Sequence, residues 1–294
     1  MDQWQIFAAT REKPTDGAKE LYTKVVIRKG IKWAVLRCPG EGVLTLDLNA
    51  LLAAAQQPLP NGDRPAPGEK GGPPLPVDPK QAFPKFNPAF HTKWTGSVLA
   101  TDGPPVYPKI GSLLHYADPI LRRQGKANIE AEVLVMEQLR KYRIEGVTDP
   151  RANHIVNYHG VFVWKGRIMW LMLDRLPGVL WDRCTESPLR PLNIAQVLSG
   201  VRTALDYLHE HGLCHNDVCP QNVGLTANDE AVLIDFDSCL PSGAPLTKGG
   251  AAKRFNRAAT TSCVQNDERC VQAMEEELRQ TFFGVQLAAS STSR

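Results

Sequence analysis

Cys214-His215-Asn216-Asp217-Val218-Cys219-Pro220-Gln221-Asn222 opens the stretch whose reading decides the fold, and Ala231-Val232-Leu233-Ile234-Asp235-Phe236-Asp237 closes it. Asp217, Asn222 and Asp235 stand around two short apolar runs, and Pro220 stiffens the loop between the first two. Asp235 ends the run that starts at Ala231, so a short hairpin brings all three side chains to one point. Oxygen donors converging at a strand end suit a hard cation such as Mg²⁺, which takes few protein ligands and shares the rest with phosphates. The plainer alternative is a capped turn, with Asp235 fixing a loop through local hydrogen bonds.

His215 to Asn222 resembles the H-R-D-L-K-P-x-N catalytic loop of eukaryotic protein kinases, and Asp235-Phe236-Asp237 resembles their D-F-G motif. Either fragment alone is common; the two in this order and at this spacing are specific. His-Asn-Asp and Asp-Phe-Asp look most like the divergent kinase-like proteins of fungi. The resemblance implies an α+β, two-lobed protein-kinase-like fold with a truncated C-lobe and an N-terminal accessory segment. Residues 1–56 then form the accessory subdomain, 57–88 a Pro/Gly-rich linker, 90–283 the kinase-like domain and 284–294 a flexible tail.

Outside that stretch the chain is ordinary. Its 294 residues suffice for one large or two modest domains. A net charge of +3 makes no case for nucleic acid or an anionic membrane as a partner. No apolar run is long enough to span a bilayer, and the start Met1-Asp2-Gln3-Trp4 has no basic-then-apolar leader, so the expected location is intracellular and cytoplasmic. Seven cysteines without C-x-x-C pairing read as reduced thiols; Cys219 and Cys239 flank the motif stretch, where burial is the default for a free thiol.

Local patterns supply the remaining elements. Residues 22–37 read as a hairpin turning at Lys29-Gly30, and residues 47–56 as an amphipathic helix. Proline and glycine through 57–88 argue against a regular ladder there. Residues 95–100 and 106–110 read as strands around a turn at 101–105, with Pro108 favouring an edge. Ile129, Val133 and Met136 share a helix face, as do Ile194, Val197, Leu198, Val201, Leu205 and Leu208, with Gly212 as the stop. A last helix starts near Asp267, which the resemblance matches to the buried aspartate at the head of a kinase's central C-lobe helix, though a helix cap is the simpler role.

The resemblance assigns these elements to a site. Lys109 takes the place of the strand lysine that contacts phosphates, and Glu132, better than Glu130, that of its helical partner. Gly96 is the third glycine of the phosphate-covering loop, whose first two positions are His91 and Lys93. Asn153 to Phe162 resembles the strand region after the helix. Leu173 backs an adenine pocket, and Asp174 and Leu176 belong to the hinge whose backbone meets the base. Asp217 and Asn222 are the catalytic pair, and Asn222 and Asp235 hold Mg²⁺. Three departures stand out: Asn216 replaces an arginine, Cys219 a lysine and Asp237 a glycine, and no A-P-E motif follows.

The implied activity is transfer of the ATP γ-phosphate to a hydroxyl, a Ser or Thr of a protein, with Mg²⁺. A pseudokinase acting as a nucleotide-binding or scaffold module accounts better for the degraded glycine loop. A small-molecule kinase of the aminoglycoside or choline kinase type shares H-x-D-x-x-x-x-N, but residues 153–160 favour the protein-kinase side.

Overall fold

The computed structural model describes residues 5–12, 22–29, 32–39, 66–67, 73–96, 106–145, 149–248, 251 and 258–292. They belong to two units, Met1–Lys85 with Gly111–Ala127, and Phe86–Ile110 with Asn128–Arg294. The expected helix at 47–56, the strand residues 97–100 and the turn at 101–105 lie outside the described residues.

The first unit is built on an antiparallel sheet of β1 (Gln5–Glu12), β2 (Tyr22–Lys29), β3 (Lys32–Pro39) and β4 (Leu75–Pro76), in that order. The hairpin read from 22–37 is β2 and β3, which pair from Tyr22↔Pro39 to Lys29↔Lys32. β1 carried no reading from the sequence. The stretch expected as a linker differs: β4 pairs with β3, α1 (Pro79–Ala82) follows, and Val77 and Phe83 are buried. Proline is compatible with both elements. Pro76 lies on an edge strand, where a missing donor is tolerated, and Pro79 starts a turn that Asp78 caps through Lys80 N at 2.9 Å.

In the second unit β5 (Val106–Lys109), β6 (Tyr158–Trp164) and β7 (Arg167–Asp174) form a sheet in the order β5-β7-β6. A strap at 92–94 adds to the far edge of β6. Val161 N donates to Thr92 O at 2.8 Å and Trp94 N to Val161 O at 2.9 Å. The approach requires Gly160, whose φ is +115° and whose Cβ, if present, would meet Thr92 O at 2.6 Å. Glu137 holds the strap from the helix side, accepting from Thr92 Oγ1 and Tyr158 Oη at 2.8 Å each.

α2 (Pro119–Glu145) buries Ile129, Val133, Met136 and Leu139 along the face read from the sequence. Two short elements come next, β8 (Gly178–Val179) and α3 (Leu180–Thr185). α4 (Ile194–Glu210) is capped by Asn193, which accepts from Gln196 N, and stops before Gly212 at φ +70°. Its buried face is the expected one, and it packs on the rest of the helical part. β9 (Leu213–Cys214), β10 (Val223–Leu225), β11 (Ala231–Leu233) and β12 (Leu240–Pro241) follow; β10 and β11 are the expected hairpin.

α5 spans Val264–Thr292, so it starts before Asp267 and continues through most of the expected flexible tail. Val271, Met274, Leu278 and Phe282 are buried at helical spacing, and the alanine-rich end favours continuation. The mixed helix-and-sheet organisation is the α+β class expected. Among the described residues no helix is long and apolar enough to cross a membrane.

Candidate functional site

β5 delivers Lys109 and the buried face of α2 delivers Glu132. Lys109 Nζ lies 2.5 Å from Glu132 Oε1 and 2.8 Å from Asp235 Oδ1. The choice between the two glutamates is decided by burial: Glu130 is exposed, whereas Glu132 is 4% exposed. Glu132 Oε1 also accepts from Phe236 N at 3.1 Å, so one carboxylate ties the lysine to the segment after Asp235. Asp235 itself is left-handed (φ 65°, ψ 77°), a conformation Asp adopts more readily than most residues.

Electrostatics follow from this packing. Burial pulls the Lys109 ammonium down, but Glu132 and Asp235 outweigh it and hold the pKa well above the ordinary lysine value. Burial pushes Asp235 up, yet Lys109 and then Lys248 leave it below the usual carboxylate value. Burial raises Glu132, with Lys109 opposing and Asp235 adding to the rise. Asp237 is raised by burial and by Asp235, and the added charge that this residue brings in place of glycine is met by an ion pair with Lys248.

Asp217 and Asn222 sit at the two ends of the loop before β10. Asn222 Nδ2 donates to Asp217 O at 2.8 Å and to Asp217 Oδ2 at 3.2 Å, while Ile234 N donates to Asn222 O at 3.0 Å. Asp217 Oδ1 accepts from Ala251 N at 2.5 Å. His215 supports the same corner, with Nε2 3.1 Å from Ile234 O and its ring 5.1 Å from that of the fully buried Phe236.

Asp267 does not cap its helix. It is fully buried in the first turns of α5, and its Oδ2 accepts from His215 N and Oδ1 from Asn216 N, at 2.9 and 2.7 Å; His209 Nε2 lies 2.9 Å from Oδ2. His209, Cys214 and Asp267 have ligand atoms within 4.8 Å of one another; each Asp267 oxygen accepts a backbone N–H of the loop, so the carboxylate acts as a brace. Among the described residues Cys184, Cys214, Cys219, Cys239, Cys263 and Cys270 are free thiols, and burial pushes Cys219 and Cys239 up.

A cavity of about 290 Å³ collects Lys109, Leu173, Asp174, Leu176, Asn222 and Asp235. Leu176 lies over Gly224, where a Cβ would stand 2.2 Å from its Cδ1, so any side chain there would displace the end of Leu176. Asp174 gives its N–H to Asn157 O at 3.0 Å and is therefore not a donor for a base. Asp182, unread in the sequence, also lines the cavity; its only local signal is an acidic residue in the first turn of α3, right after the hinge. Gly96 does not join this group. It sits in an exposed bend beyond the strap, on the edge of the sheet opposite β5, because the backbone of 92–94 is paired with Val161. A cavity of about 340 Å³ elsewhere in this unit gathers none of Lys109, Asn222 and Asp235, and the Arg143 guanidinium in its wall is engaged with the carbonyls of Ala152 and Ile155.

Residues 124–248 match the model of the protein kinase domain. Over this segment the chain is similar to protein kinase domains. The matched segment holds Glu132, Asp174, Asp217, Asn222 and Asp235, and begins after Lys109. Similar curated proteins include serine/threonine-protein kinase SMU1 of Mycosarcoma maydis, 31% identical over 130 residues, or 44% of this chain and 16% of that protein. PAK 5 of Rattus norvegicus, a serine/threonine-protein kinase, is 29% identical over 40% of this chain and 15% of its own length. PknH of Mycobacterium tuberculosis, also so named, is 33% identical over 51% and 22% respectively. This chain thus spans less than a quarter of each relative.

Proposed function

We propose that the kinase-like domain transfers the γ-phosphoryl group of ATP to a hydroxyl acceptor, a Ser or Thr of a protein. The observation that carries this reading is Lys109 held between Glu132 and Asp235 beside a cavity that Asn222 also lines. Lys109 anchors the phosphates, Asp217 orients the acceptor hydroxyl and receives its proton, and Leu176 offers backbone to the base. Among the described residues Lys109, Asn222, Asp235 and Leu176 are the groups that line the cavity for phosphate and base. With ATP as donor and protein as acceptor, the reading puts the chain in the cytoplasm.

The donor set fits Mg²⁺. Asn222 directs its Nδ2 to Asp217 O, which leaves its carbonyl oxygen as a hard donor, and Asp235 adds a carboxylate. When bound between them, the cation would neutralise charge on the phosphates.

A second reading, a nucleotide-binding module without transfer, is favoured by one contact. Ala251 N–H occupies Asp217 Oδ1, an oxygen that an acceptor hydroxyl has to reach. Phosphate release and protein phosphorylation, with saturating ATP and with or without Mg²⁺, separate the two. The chain is expected to outpace both Asp217→Asn and Asp235→Asn; nucleotide binding with no rate above those variants would leave only the binding module.

A further inference from the structure

Asn216 has no role in the reading above, yet it is the most heavily bonded side chain near Asp217. It is 2% exposed and left-handed, at φ 61°. Its Nδ2 lies 2.9 Å from Cys214 O, 3.0 Å from Ser262 Oγ and 3.3 Å from Ser238 O, so the amide hydrogens are shared among three acceptors. Its Oδ1 accepts from Asn266 Nδ2 at 3.2 Å, and its backbone N–H goes to Asp267. Ser238, Ser262, Asn266 and Asp267 are each at most 4% exposed, so no solvent substitutes for a lost partner.

We infer that Asn216 is a positioning residue that sets the relative placement of Asp217 and Asp235, the two carboxylates of the proposed transfer site. Three chain segments meet at its carboxamide: the strand that leads into the Asp217 loop, the turn Phe236–Ser238 just after Asp235, and the head of α5. Asn266 and Asp267 are neighbours on α5, and one grips the side chain of Asn216 while the other grips its backbone. The residue that follows is Asp217, so rotation about Asn216 is blocked from both sides. Asn suits the place for two reasons: it tolerates the left-handed backbone, and its planar amide donates and accepts at once without burying a charge.

The inference rests on the transferase reading for its kinetic part only. Asn216→Gly keeps the backbone conformation and removes the carboxamide. At saturating nucleotide its kcat is expected to fall by about 10- to 100-fold, the loss that a displacement on the order of 1 Å produces, with nucleotide Kd within about twofold because no cavity residue is altered. Ser262→Ala is expected to lower kcat in the unaltered chain and to add little on top of Asn216→Gly. A core variant of α4, Val197→Ala, serves as the control for lost stability. Amide hydrogen exchange supplies a readout independent of activity: Asn216→Gly is expected to speed exchange at 214–218 and 236–239 together, a pairing the control does not reproduce. Unchanged kcat with unchanged exchange, or loss that merely tracks thermal stability as in the control, overturns the inference. If the unaltered chain transfers no phosphate, the transferase reading falls, while paired or unpaired exchange still decides the role of Asn216.

Discussion

Lys109, Glu132 and Asp235 meet as charged groups beside a cavity, whereas the loop carrying Asp217 is fastened by a carboxamide and a single carboxylate that see almost no solvent. The side chains of Lys109 and Asp235 are 22% and 35% exposed; Asp267 is 0% exposed. Their partners differ as well. The charged trio is held side chain to side chain beside a cavity, which on the proposed function would let its members meet a phosphate or a cation, while Asp267 binds two backbone N–H groups. The contrast separates a part built to exchange partners from a part built to keep them.

The sharpest way to break this contrast is to alter each part and ask which property moves. Asp235→Asn keeps the shape of the exchanging part and removes its charge; transfer is expected to fall by about 10²- to 10³-fold in a phosphate-release assay while stability falls far less than in Asp267→Ala. Asp267→Ala should do the reverse. It strands the N–H groups of His215 and Asn216 in a dry site, and denaturant titration is expected to show a loss of about 3 kcal/mol.

pH sharpens the same comparison. Lys109 is raised in the folded chain, so its contribution is fully present below the unfolded lysine value of about 10.4 and is lost as pH rises through the higher folded value. The stability gap between the unaltered chain and Lys109→Met, which leaves the buried Glu132 carboxylate without its partner, is expected to stay level from neutral pH to about 10 and to shrink above that. Asp235 is lowered, so its share is present above the unfolded value of about 3.9 and fades as pH falls through the folded one. A gap that closed near neutrality would show that the trio is not ionised as described.

The smallest effect is expected at the cavity wall. Gly224→Val pushes Leu176 toward the space a base would occupy, and titration with ATP should show affinity lower by roughly fivefold, equivalent to about 1 kcal/mol of overpacking. Unchanged affinity would mean that the base does not reach Leu176.

Reading the chain recovered those features in which neighbours in sequence cooperate. The Asp217–Asn222 spacing, the apolar runs that became β10 and β11, and the helical faces of α2 and α4 are short-range patterns whose hydrogen bonds or burial repeat every few residues. The same logic failed where proline was taken as a bar to structure, because Pro76 and Pro79 occupy the few positions that need no donor. At Gly96 the glycine-loop spacing carries no sign that Val161 pairs with the backbone of 92–94 just before it.

By itself, the sequence determined the α+β class of the molecule, the Asp217–Asn222 loop and the hairpin that ends at Asp235, since these depend on short-range spacing. Tertiary structure alone decided that Lys109 reaches both Glu132 and Asp235, that Lys248 offsets Asp237, and that Asn216 braces the loop. The physical reason is the range of the interaction. A periodic pattern reports which face of an element is buried, but a buried polar group finds its partner through the packing of whole elements, and Asn216 carries no mark of the side chains it will meet about fifty residues away.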